Sequence, residues 1–375
     1  MGGRIEWVKG KMVGCGSFGS VHLAMNKSSG GLFVVKTSDT EVGHDALKNE
    51  VNMLNSLNNS SPYIVQCLGT EYDHHQDNKL HVFMEYMAGG SLAEVSNKFG
   101  GSLEEDVVRL YTRQILLGLY DLHKHGIVHC DLKCKNVLLA SSGNVKLADL
   151  GCAKRVIKKN DLNMKMNMNM NMNMNMNKLS SCINLTNGGT PLWMAPEVLL
   201  KDDDDDDDER VVDFAADIWS LGCTVIEMAT GRPPWGDNLI STSNPIAAMF
   251  KIARGDEVPQ FPVHFSHEGF DFLRRCLVRD PNKRPTAHEL LNHPFIISTT
   301  LTYHKHYSAS SPAAVLDIHQ FEDTYDDDDE LQSPTGRLNQ FSITNEFVSP
   351  QGTTMWELED GASEYYWITV RSRDQ

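Results

Sequence analysis

Asp131, Lys133, Asn136 and Asp149 are the residues of this chain whose types and spacing best suit a chemical reaction. In the run His129-Cys130-Asp131-Leu132-Lys133-Cys134-Lys135-Asn136, a proton-accepting carboxylate is followed closely by an ammonium and then by an amide oxygen. Ala148-Asp149-Leu150-Gly151 adds a second carboxylate further along. Phosphoryl transfer from ATP needs such a set, because it depends on positioning and on neutralising charge more than on covalent chemistry. Asp131 would orient the acceptor hydroxyl and take its proton, and Lys133 would offset charge building on the transferred group. Asn136 and Asp149 would hold the Mg²⁺ ions that bridge the phosphates.

A phosphate cradle stands upstream. Gly14-Cys15-Gly16-Ser17-Phe18-Gly19-Ser20-Val21 reads as a glycine turn between two strands. Bare backbone at Gly14, Gly16 and Gly19 would let the loop approach phosphates, with Phe18 capping its tip. A dinucleotide-binding turn has the same letters, but it opens a helix, and here a strand follows. Lys36 ends an apolar strand containing Val34 and Val35. Such a lysine alone is ordinarily a surface charge. Next to the glycine loop, and with Glu50 on the following helix, it reads as the phosphate-clamping lysine with its orienting carboxylate. Glu50 shares a helical face with Leu47, Val51 and Leu54, where a solvated glutamate is out of place. Glu41 competes for the role, but it precedes the expected helix.

Positioning these groups takes two kinds of structure. Residues 6–25 predict two strands around the glycine turn, and Leu32 to Thr37 a third. Asp45 to Leu57 predicts an amphipathic helix, and Ile64 to Tyr72 and Leu80 to Tyr86 predict further strands. Met87-Ala88-Gly89-Gly90-Ser91 reads as a flexible joint. Beyond it, apolar stripes predict helices over Leu103 to His125, Asp217 to Thr230 and Gly269 to Val278. The fold class expected is α+β: a β-rich lobe, a larger helical lobe, and a ligand between them.

With 375 residues the chain can form two packed lobes and an appendage. No run of apolar residues is long enough to cross a membrane, and the charged N-terminus does not resemble a signal peptide. The eight cysteines are scattered without a CxxC pair, which predicts reduced thiols and a cytoplasmic or nuclear setting. Of the net charge of −16, the carboxylates of 202–209 and 326–330 supply thirteen, so the remainder carries only −3. No basic stripe interleaved with aromatics supports nucleic-acid binding.

Three segments lack packing patterns. Asn163 to Asn177 alternates Asn and Met within a low-complexity insert over about 158–180 and is expected to stay disordered. Asp202 to Asp208 reads as a solvated loop. From 297 to 375 the chain is acidic and Ser/Thr-rich and is expected to be largely disordered, with Tyr365 to Val370 as a short docking element. Ser311-Pro312, Ser333-Pro334 and Ser349-Pro350 suit a proline-directed kinase acting on this tail.

In its ordered motifs the chain resembles a eukaryotic protein kinase over residues 1–296, with an N-lobe over about 1–87 and a C-lobe over about 88–296. The motifs are the glycine loop, Lys36, Glu50, the HxDLKxxN loop, the DLG turn, Ala195-Pro196-Glu197, Asp217 and Arg284. The resemblance implies that Met84 is the gatekeeper and that Glu85 to Met87 form the hinge receiving adenine, with Val21 against the base. It implies that Asp217 braces the catalytic loop and that Glu197 pairs with Arg284. Lys133 and the Gly189-to-Glu197 segment imply Ser/Thr specificity, with Thr190 contacting Asp131 and Lys133.

More narrowly, the chain is similar to plant MEKK-like MAP kinase kinase kinases. This implies a MAP kinase kinase as substrate and a downstream MAP kinase feeding back on the tail. Cys130 departs from the family, which usually carries Arg there to gather a phosphate on the activation loop. Phosphorylation at Ser180, Ser181 or Thr186 is therefore not expected to be the dominant on-switch of this non-RD sequence. A second reading, compatible with the first, has Cys130 filling a small apolar niche; a third, a redox sensor, lacks groups placed to lower the thiol pKa, since Lys133 is committed to the phosphoryl group. Two further functional readings stay open: a pseudokinase-like scaffold, and a Ser/Thr kinase outside the MAP kinase cascade.

Overall fold

Strand-forming residues dominate the first lobe and pair into one antiparallel sheet of order β1-β2-β3-β5-β4. Its strands are β1 (Trp7–Gly16), β2 (Gly19–Asn26), β3 (Leu32–Thr37), β4 (Cys67–Asp73) and β5 (Lys79–Glu85). The computed structural model describes residues 6–16, 19–57, 61–73, 79–156, 191–199, 213–236 and 245–297. The Asn/Met insert, the poly-aspartate run and the tail beyond Ile297 lie outside the described residues, as do Ser17, Phe18, Ser180, Ser181, Thr186 and Thr190.

Alternation along β3 sets the two faces of the sheet. Val34 and Lys36 point into the cleft between the lobes, while Phe33 and Val35 join Ala24 and Phe83 in a small core on the opposite face. Helix α1 (Glu41–Ser56) begins earlier than its apolar stripe predicts. Thr40 caps it, its hydroxyl accepting from Gly43 N at 3.1 Å, and Glu41 complements the positive end of the helix. Glu41 is thus the first residue of the helix rather than outside it, and it is exposed. Capping chemistry extends the helix through Glu41 and Val42, which are exposed and contribute nothing to its buried face. The strand expected from Ile64 starts at Cys67; Ile64 instead forms an isolated parallel bridge with Leu147.

The joint is pinned where the sequence suggested flexibility. Gly89 N donates to Leu139 O, Gly90–Ser91 form the short strand β6, and Ser91 caps α2 (Leu92–Lys98) through a capping box with Glu94. The second lobe is built on α3 (Glu105–Lys124) and on α5 (Phe214–Thr230), separated in sequence by the single turn α4 (Pro196–Leu199). Both long helices fall close to the apolar stretches that predicted them. Helices α6 (Pro245–Arg254), α7 (His267–Cys276) and α8 (Ala287–Leu291) follow. Helix α5 is buried almost all round, Trp219, Leu221 and Val225 being fully enclosed, as expected of a helix at the centre of a core. Four short strands frame the catalytic loop: β7 (Ile127–Val128) pairs with β10 (Lys154–Arg155), and β8 (Val137–Leu139) with β9 (Val145–Leu147).

Two positions in this frame require glycine for different reasons. Gly19 has φ +138°, and a Cβ there would fall 1.9 Å from the Thr37 carbonyl oxygen. Gly222 lies where α5 meets α7, and a Cβ would come within 2.9 Å of Cys276 Cβ. In an unconstrained helix Gly→Ala stabilises by about 0.4–1 kcal/mol, whereas overpacking a core costs about 1–3 kcal/mol. Gly222→Ala is therefore expected to destabilise the protein, and a lower urea midpoint with an unchanged m-value checks this.

Candidate active site

The apolar pattern of β3 drives Lys36 inward, and its ammonium finds two carboxylates there. Nζ lies 2.8 Å from Glu50 Oε2 on α1 and 2.7 Å from Asp149 Oδ1 after β9. Glu50 is 1% exposed and also accepts Leu150 N, at 3.3 Å. Burial penalises the Lys36 cation, but Asp149 and Glu50 outweigh it and hold the group above the ordinary lysine value. For Glu50, burial prevails over Lys36 and raises the carboxyl; for Asp149, Lys36 prevails over burial and lowers it. Glu41 makes no part of this contact, so the competition foreseen between the two glutamates goes to Glu50.

The loop before β8 is hung from α5. Asp217, fully buried, accepts His129 N at 2.8 Å and Cys130 N at 3.0 Å, and His123 Nε2 lies 2.9 Å from the same carboxylate. These contacts hold Asp217 below the usual carboxylate range against the opposing effect of burial, the first contributor being the His123 hydrogen bond. Cys130 adopts a left-handed conformation, φ 66°, with its side chain half-buried and Sγ 3.6 Å from Val128 O. Its side chain is among those that line the large cavity described below.

Asp131 follows at once. Lys133 Nζ donates to both its oxygens, at 3.0 and 2.9 Å, and Asn136 Nδ2 donates to its Oδ2 and its backbone oxygen, both at 2.8 Å. Burial raises Asp131 above the ordinary carboxylate value, and Lys133 partly offsets this.

The residue types at Asn136 and Asp149 fit a magnesium ion. The Asn136 amide nitrogen is committed to Asp131, which leaves its oxygen as a ligand, and Asp149 gives Lys36 only Oδ1. One carboxylate and one amide oxygen suffice for Mg²⁺, which takes its other ligands from water and substrate phosphates.

Both groups line a cavity of about 1090 Å³ that also receives Gly14, Gly16, Gly19 and Val21 from the glycine turn and Met84 to Met87 from the hinge. At Gly16 a Cβ would meet no protein atom within 4 Å, so the protein leaves open space over the turn. Arg284 and Glu197 pair bidentately at 2.7 and 2.8 Å.

Three site residues escaped sequence reasoning. Asn49, beside Glu50, donates to the carbonyls of Gly151 and Ala153 at 3.0 and 2.9 Å and of Leu150 at 3.4 Å. Lys146 on β9 grips both oxygens of hinge Glu85, at 2.7 and 2.8 Å. Glu227 on α5 accepts Cys134 N and Trp193 Nε1 at 3.0 and 2.9 Å, tying the catalytic loop to the segment before α4. A polar residue on an otherwise apolar helix was the available signal for Glu227; Asn49 and Lys146 carried none.

Two outcomes follow. The acid limb of the kcat profile is expected above the ordinary Asp range of about 3.9, because the proton-accepting role expected of Asp131 requires its carboxylate form and burial raises its pKa. Activity falls as pH drops through that limb. Lys133→Ala removes the opposing ammonium and moves the limb to higher pH, whereas Lys133→Arg leaves it near that of wild type. For Asn49→Ala, the lost hydrogen bonds are worth about 1–2 kcal/mol net. A several-fold fall in kcat with a melting temperature lower by a few degrees is expected, read by steady-state kinetics beside thermal unfolding well above the assay temperature.

A protein kinase domain model matches residues 7–296. Mitogen-activated protein kinase kinase kinase ANP1 of Arabidopsis thaliana is 36% identical over 96% of this chain and 51% of its own length. Mitogen-activated protein kinase kinase kinase 17 of the same plant is 35% identical over 78% of this chain and 70% of its own. Mitogen-activated protein kinase kinase kinase A of Dictyostelium discoideum is 38% identical over 78% of this chain and 28% of its own. The chain thus spans about half of ANP1 and less of the Dictyostelium protein. It belongs to the protein kinase domain family, and within that family it resembles serine/threonine kinases of the MAP kinase kinase kinase type.

Proposed function

We propose that this chain transfers the γ-phosphoryl group of ATP to a serine or threonine of a MAP kinase kinase. The observation that carries this reading is the bridging of Glu50 and Asp149 by Lys36 in the lining of the cavity that also receives Asp131. The acceptor hydroxyl is oriented by Asp131, which takes its proton as the oxygen bonds to phosphorus and the bond to the nucleoside diphosphate breaks. Lys133 sits on the same carboxylate and offsets charge on the moving group. Lys36, fixed by its two carboxylates, is presented to the nucleotide phosphates. Asn136 and Asp149 would hold Mg²⁺, which supplies neutralisation of the phosphate oxygens when bound.

A scaffold without catalysis is disfavoured because Lys36, Asp131, Asn136 and Asp149 are all present and all face one cavity. The printed names of the relatives support the cascade level. Where the family gathers an activation-loop phosphate, Cys130 offers no cation, so activity independent of loop phosphorylation is part of the proposal. Feedback phosphorylation at Ser311, Ser333 and Ser349 is a further part of it.

Incubation of the protein with Mg²⁺, labelled ATP and an inactive MAP kinase kinase is expected to label that substrate in preference to a generic basic protein. Asp149→Ala should abolish labelling. Equal labelling of the two substrates would remove the cascade assignment, and no labelling of either would restore the scaffold.

A further inference from the structure

A second cavity lies on the face of the first-lobe sheet turned away from the cleft. There Trp7 packs edge-on against Phe33, Phe83 and His81, with ring centroids 6.4, 5.9 and 5.7 Å apart. The cavity beside it measures about 250 Å³. Its rim brings together Lys9 from β1, His22 from β2, and Lys79 and His81 from β5, over a floor that includes Val35. These side chains lie on the opposite face of the sheet from Lys36 and take no part in the phosphoryl transfer proposed above.

Two observations point to a missing partner. His81 Nδ1 is buried with no hydrogen-bond partner among the described residues, although buried polar atoms ordinarily have one. Lys9 has no carboxylate within ion-pair reach among the described residues, whereas Lys79 is paired with Asp39. The other charges facing the cavity come from β4: Asp73 at the rim, and Glu71, which accepts from Trp7 Nε1 at 3.5 Å.

Both imidazoles are held below their ordinary value, burial being the first cause at each. At His22 the Lys9 and Lys79 ammoniums add to that lowering; at His81, Asp73 and Glu71 oppose it more than the lysines add. Two lysines and two histidines therefore line the cavity with Asp73, beside an aromatic wall, while Glu71 accepts from Trp7 and Asp39 pairs with Lys79.

We propose that this cavity binds a phosphate monoester on a serine or threonine side chain of a partner peptide. Lys9 and Lys79 counter its charge, His22 and His81 donate to its oxygens, and Trp7 and Val35 pack the carbon that bears it. A phosphorylated side chain has that apolar contact to offer and inorganic phosphate does not. Donation by both imidazoles to an anion favours their protonated forms. Each imidazole that donates therefore takes up a proton on binding, and while the ester stays dianionic, above its second pKa of about 6, affinity rises as pH falls.

The test uses the full chain without nucleotide and follows the imidazole ¹H–¹³C signals of His22 and His81, assigned with His22→Gln and His81→Gln. A phosphoserine peptide, its unphosphorylated counterpart, inorganic phosphate and chloride at matched ionic strength are titrated in turn. The phosphopeptide is expected to shift both signals saturably towards the protonated position and to bind more tightly than inorganic phosphate. Lys9→Met should weaken it by about tenfold, the value of one charge-assisted contact, while kinase activity stays that of wild type. Four results would each overturn the proposal: no saturable shift, an equal shift with chloride or with the unphosphorylated peptide, undiminished binding to Lys9→Met, or equal affinity for inorganic phosphate. The last would reduce the site to an adventitious ion only.

Discussion

One buried ammonium organises this molecule. Lys36 is 9% exposed, and a lone cation at that depth would be too costly to keep charged. It stays charged because two carboxylates from separate elements reach it, the deeply buried Glu50 and the more exposed Asp149. Glu50 brings α1 and Asp149 brings the turn after β9, so one charge holds three elements in register. The geometry of the site follows from electrostatics: a buried cation is matched only where the three elements converge. The remaining polar contacts at the cleft, from Asn49 to the carbonyls of the turn, reinforce a junction already made.

Backbone strain marks the two places where the chain departs from regular structure. Among the described non-glycine residues, Cys130 and Asp149 have left-handed φ values, near 65°. Such conformations cost about 1–3 kcal/mol each and persist only where the surroundings dictate them. Asp217 supplies the restraint at Cys130 by taking consecutive backbone N–H groups, and Lys36 supplies it at Asp149. Both strained residues adjoin the reacting groups, one preceding Asp131 and the other being a metal ligand in the proposed function. The strain aims those groups at a common cavity where relaxed backbone would splay them.

How much could be read from the sequence depended on distance along the chain. Motifs that work through local spacing, the loop around Asp131 and the glycine turn, stood out because their chemistry is written within a few residues. Strand β3 was legible to the residue from its apolar run. The start of α1 was not, since Thr40 and Glu41 belong to its capping and leave no trace in an apolar stripe. Asn49, Lys146 and Glu227 act across many residues, and a polar side chain gives no notice of which distant backbone it will meet. Arg284 and Asp217 were read only through family resemblance; the structure supplies the physical reason, an enclosed carboxylate and a guanidinium saturated by Glu197 and backbone carbonyls.

Hanging the catalytic loop from α5 has a consequence for control. The loop takes its position from the most deeply enclosed helix of the second lobe, so Asp131 cannot be displaced without disturbing that lobe's core. Helix α1 is attached differently, meeting the turn after Asp149 through the buried Glu50 carboxylate and the Asn49 amide as well as through apolar packing in the shared core. The loop thus hangs from one enclosed helix, whereas α1 is held to its turn by matched charge and apolar contact together.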